Sequence, residues 1–127
     1  MLSWIFGDRS EREAKQLNRD APIILKQAEE MFSDSSLTVV ADLVREHIKR
    51  AHNIFGTQDI DYRRALQDYR RLHKDARSRT NQRELSAMTL VIIYLRSELT
   101  GPAAAPARER INHFISTFAG KPPPAAP

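Results

Sequence analysis

Apolar residues between Leu37 and Phe55 fall at Leu37, Ala41, Val44, Ile48, Ala51 and Phe55, in steps alternating between four and three residues. That spacing lays one apolar seam along a helix over about 37–55 and predicts lengthwise packing on neighbouring helices. Tyr62, Leu66, Tyr69, His73 and Ala76 form a second seam, predicting a helix over 60–77. Leu85, Met88, Ile92, Leu95 and Leu99 form a third, over 81–99. Leu90, Val91, Ile93 and Tyr94 make most of that helix apolar, the signature of a central element. No stretch alternates apolar and polar residues as a half-buried strand would, so the chain reads as all-α.

Punctuation residues set the remaining boundaries. Asp8 or Ser10 is expected to cap a short, mostly polar helix ending near Arg19, with Ala14 and Leu17 as its buried positions. Asp20-Ala21-Pro22 reads as a restart, with an acidic cap and a proline in the first turn. The helix it opens, over 22–32, places Ile24, Ala28, Met31 and Phe32 on one face. Ser33-Asp34-Ser35-Ser36 is a loop, Gly56 a stop, Thr80 an N-cap and Thr100-Gly101-Pro102 a clean end. A last helix over 106–118 offers Ile111, Phe114, Ile115 and Phe118. The short connections between the three long helices force antiparallel neighbours. The expectation is a compact antiparallel bundle of four to six helices, one domain over residues 1–119, followed by a short disordered Pro/Ala-rich tail over 120–127.

Residues 61–69, Asp-Tyr-Arg-Arg-Ala-Leu-Gln-Asp-Tyr, resemble the second helix of a tetratricopeptide repeat. The first-helix pattern is missing, with His52 and Asn53 where a leucine–glycine step belongs, and no second copy exists.

Composition narrows the chemistry. The 127-residue chain has no cysteine, which removes disulfides, thiolate metal sites and thiol nucleophiles. His47 and His52 are five apart and do not share a helix face; no Glu-x-x-His pair, serine elbow or glycine-rich phosphate loop is present. A non-enzyme without cofactor or metal is therefore expected. No segment reaches the ~18 apolar residues of a spanning helix, and the N-terminus lacks a signal-peptide pattern. The expected location is the cytoplasm, without stable membrane insertion. Arginine supplies 15 of the 20 basic residues, which fits a GC-rich bacterial genome.

The placement of those arginines is more informative than their number. From Asp59 to Glu84 there are eight basic and five acidic residues, a net +3 of the chain's +4. Arg63, Arg70, Lys74 and Arg77 lie at steps of seven, four and three, a stripe along one side of a helix, with Arg71 beside it. Such a stripe suits an acidic protein surface, the phosphates of nucleic acid, or a solvated outer face. The expected function is a non-catalytic interaction module, an adaptor or regulatory subunit of a bacterial complex. Its partner surface is expected to include Arg63, Arg70, Arg71, Lys74 and Arg77 with Trp4 and Phe6, beside Tyr62 and Tyr69. Self-association is a further option, and the alternative is nucleic-acid binding with little sequence preference. Trp4 and Phe6 have three readings: packing on the bundle, docking into a partner or second copy, or dipping into a membrane interface.

Overall fold

A computed structural model describes the backbone over residues 2–55 and 59–120, and side chains over 10–53 and 62–120. Five α-helices account for nearly all of it: α1 (Leu2–Met31), α2 (Asp34–Phe55), α3 (Asp59–Ser78), α4 (Gln82–Thr100) and α5 (Ala105–Phe118). A single 3-10 turn, Pro102–Ala104, joins the last two. Among the described residues there is no strand.

Contacts between named side chains fix the directions. His47 meets Tyr69, while His52, further along α2, stacks on Tyr62, earlier in α3, so the two helices are antiparallel. Tyr62 meets Glu98 and His73 meets Thr89, so α3 and α4 are antiparallel as well. Arg108 reaches back to the carbonyl of Ser97 and Asn112 to the hydroxyl of Tyr94, so α5 returns along α4. The up-down-up core expected from short connections is present and extends through α5.

α4 is the central helix. It packs on α1, α2, α3 and α5 and buries Ala87, Met88, Leu90, Val91, Ile93 and Leu95. The seam of α2 is buried from Leu37 through Ala51, and that of α3 at Tyr62, Leu66, Tyr69 and Ala76. Gly101, at φ +105°, makes the turn out of α4 in a conformation that L side chains rarely adopt.

Five local expectations are corrected. The first two helices are one: α1 runs unbroken through Pro22. Its buried stripe, Ala14, Leu17, Ala21, Leu25 and Ala28, continues past the proline at helical spacing. Burial of that stripe offsets the roughly 3 kcal/mol an internal proline costs. Met31, expected inside, is 55% exposed, because Leu25 and Ala28 take the buried face instead. α2 begins inside the expected serine loop: the Ser33 hydroxyl accepts from the Ser36 N–H at 3.4 Å, and Asp34 is already helical. Thr80 is not the cap of α4. Asn81 is, its Oδ1 accepting from the Glu84 N–H at 3.2 Å, while Thr80 sits in the left-handed region at φ 56°. Of the expected tail, Gly120 is held on α2, its N–H donating to Asp42 Oδ1 at 2.9 Å and its carbonyl accepting from Arg45 at 2.8 Å. Residues 121–127 lie outside the described residues.

Candidate functional site

α1 and α3 both lie on α4, and a groove runs between them with α4 as its floor. One end is a cavity of about 490 Å³ lined by Ser10 and Glu13 of α1, Arg63, Gln67 and Arg70 of α3, and Arg96 of α4. The other end, of about 320 Å³, is apolar, with Ile23 and Ile24 facing Ile92 and Ile93. Arg70 and Arg96 line both, which makes the two ends one continuous site. Ile23 is 48% exposed, so an apolar patch lies open directly beside the charged end.

The charges differ in how they are held. The Arg96 guanidinium grips Glu13 Oε1 through Nε at 3.0 Å and Nη2 at 2.8 Å, tying α4 to α1. Arg63 and Arg70 are exposed on α3 and make no ion pair among the described residues. Asp20 borders the apolar end from the α1 side. His73 closes the same end. Its Nε2 lies 3.1 Å from Thr89 Oγ1, whose own proton goes to the Leu85 carbonyl at 2.8 Å.

The structure divides the arginine set expected from sequence. Arg63 and Arg70 line the groove. Arg71 lies one residue on, ~100° around the helix, and shares an outer face with Asp68, Leu72 and Asp75. Lys74 and Arg77 continue the stripe toward the C-terminal end of α3, both exposed. Tyr62 and Tyr69 are removed from the surface: they are 2% and 4% exposed, because they are seam residues facing α2 and α4. The backbone of Trp4 and Phe6 belongs to α1, and their side chains lie outside the described residues. Arg96 was not singled out from sequence. Its signal was a charge on an otherwise apolar central helix, which has to find a partner or reach water.

Several other polar groups are built into helix contacts. Glu98 Oε1 accepts from the Tyr62 hydroxyl and faces His52 Nε2, both at 2.8 Å. Burial, then the bond to Glu98, pushes the Tyr62 hydroxyl well above its ordinary pKa. The Tyr69 hydroxyl donates to the His47 carbonyl at 2.9 Å. Burial, helped by nearby Arg50, holds His47 below the usual histidine value. Among the described residues, no group of three acidic or histidine side chains is arranged to hold a metal ion. No helix among them is long and apolar enough to cross a membrane.

A second surface furrow, of about 810 Å³, lies between α1 and α5 over Pro22, Leu25, Phe114 and Phe118. Its rim carries both signs of charge, from Lys26 and Arg110 against Glu29 and Glu109. It therefore has no net charge preference for a ligand.

No protein-family model matches this chain, and comparison with curated proteins and with solved structures finds no significant similarity.

Proposed function

We propose that this protein is a non-catalytic helical interaction module, an adaptor or regulatory subunit, and that its partner is an acidic protein segment seated in the groove between α1 and α3. The observation that carries this reading is the pairing of two guanidiniums that make no ion pair among the described residues, Arg63 and Arg70, with the open apolar patch around Ile23. Arginines set beside apolar surface are characteristic of protein–protein contact centres.

Nucleic acid fits the same groove less well. A continuous phosphate backbone leaving the charged end would have to cross the apolar end, where it meets isoleucines and the like charge of Asp20 on the α1 wall. The non-catalytic part of the reading is supported by three of the four histidines: His47, His52 and His73 are each engaged in a contact that joins two helices. The cysteine-free, arginine-rich composition fits a bacterial cytoplasm.

Site-specific photocrosslinking in the native host tests the proposal. A photoreactive residue at Gln67, exposed in the groove, is compared with one at Lys49, exposed on α2. The reading expects a discrete protein adduct from position 67 and none from position 49. A second copy of this chain in that adduct would identify the partner as the protein itself. A nuclease-sensitive adduct, or equal adducts from both positions, would overturn the proposal.

A further inference from the structure

We infer that the charged end of the groove is an oxyanion site that takes a doubly charged phosphoryl group. The inference rests on reading this groove as the binding face and specifies what its charged end recognises. Three guanidiniums, from Arg63, Arg70 and Arg96, line one cavity of about 490 Å³ and bring three positive charges. Glu13 returns one negative charge, leaving a net +2 in a cavity walled on three sides by helices. A phosphoryl group carries ≈ −1.5 to −2 at neutral pH and matches that excess.

The excess charge favours a dianion over a single carboxylate. One carboxylate is already satisfied by one guanidinium, as Glu13 is by Arg96. Arg63 and Arg70 remain without an ion pair among the described residues, and each presents a planar fork suited to phosphate oxygens. Ser10 and Gln67 add hydroxyl and amide donors to the same cavity. Glu13 acts as the resident anion: it holds Arg96 in place across the groove while the site is empty and competes with an incoming ligand for that arginine. The phosphoryl group has two sources, a free phosphate compound or a phosphorylated side chain on the partner segment, whose apolar neighbours would then meet Ile23 and Ile92.

Calorimetric titration of the full chain tests this with inorganic phosphate, pyrophosphate, and a short phosphoserine peptide beside its unphosphorylated counterpart. Saturable binding of at least one phosphorylated probe is expected. Arg70→Ala weakens it roughly tenfold, as loss of a charge-assisted contact does. Arg71→Ala, on the other face, leaves it unchanged. Glu13→Gln strengthens it, because the competing carboxylate is gone while the side chain keeps its size; a merely structural ion pair gives no such gain. Preference for the phosphopeptide over free phosphate assigns the source to the partner, and the reverse assigns it to a small molecule. No saturable binding at millimolar concentrations overturns the inference, as does equal weakening by the two arginine variants or no gain in Glu13→Gln. Circular dichroism of each variant confirms that it is folded. Failure here with an intact crosslink at position 67 removes the oxyanion site alone; failure of both removes the groove as the binding face.

Discussion

Asn18 of α1 caps the start of α5: its Oδ1 accepts from the backbone N–H of Ala107 at 3.0 Å. Its Nδ2 donates to the Ala103 carbonyl at 3.0 Å. α5 has no cap of its own, since its N-cap position is Ala104 and Pro106 brings no N–H. One side chain from a distant helix therefore closes the turn after α4 and holds α1 in place along the bundle. Asn18→Ala is expected to lower stability by about 1 to 2 kcal/mol, the loss of a cap together with its second bond. Urea unfolding measures it. Asn18→Asp, which can accept but not donate, should fall between the two.

Thr80 is a β-branched residue in the left-handed region, at φ 56°. The turn that demands it is closed by two bonds, Asn81 N–H to the Ala76 carbonyl at 3.1 Å and Thr80 N–H to Arg77 at 3.2 Å. That is the Schellman arrangement, whose left-handed residue is usually glycine. Thr80→Gly is expected to raise stability by about 1 kcal/mol, since glycine takes this conformation without steric penalty. A fall in the thermal midpoint would contradict it.

Much of this architecture was legible in the sequence, and the parts that were not share a cause. The seams of α2, α3 and α4 are local periodicities, and local spacing is what a sequence displays. The fate of Pro22 depended on neighbours: whether a proline ends a helix or is tolerated is decided by how much surface the continued helix buries. Thr80 was misread for a similar reason, because threonine and asparagine are both good N-caps and only the α3–α4 turn decides between them. The groove was invisible because it is made by the placement of α1 and α3 over α4, which only tertiary packing sets. Arg70 and Arg71 are separable from sequence alone, since adjacent helical residues point ~100° apart.

Pro22→Ala follows from the same reasoning. Pro22 supplies no N–H to the Asn18 carbonyl, four residues earlier in α1, and is only half-buried. Restoring that bond within the continuous buried stripe is expected to add about 1 to 3 kcal/mol. Differential scanning calorimetry checks it, and an unchanged or lower midpoint would show that α1 requires a proline-induced bend.

Three titrating groups act at opposite ends of the stability profile. His47 has a folded pKa below its ordinary 6.5. The unfolded chain therefore binds the proton first as pH falls, and this contribution is present above pH 6.5 and lost below it. Tyr62 and Tyr69 have folded pKa values above their ordinary 10.0, so the unfolded chain ionises first and stability falls as pH rises past 10.0. Chemical unfolding across pH is expected to show both declines. The acid one should be shallower in His47→Gln and the alkaline one shallower in Tyr69→Phe.

The central claim is that the groove, rather than the overall basic charge of α3, binds the partner. Arg63 and Arg70 line the groove, whereas Arg64 and Arg71 are equally exposed on α3 and Arg71 faces Asp68 and Asp75. The double variants Arg63→Glu/Arg70→Glu and Arg64→Glu/Arg71→Glu change net charge by the same amount. The decisive measurement is the yield of the position-67 crosslink in each background. The account predicts loss of the adduct in the first and near-normal yield in the second; equal loss in both would contradict it.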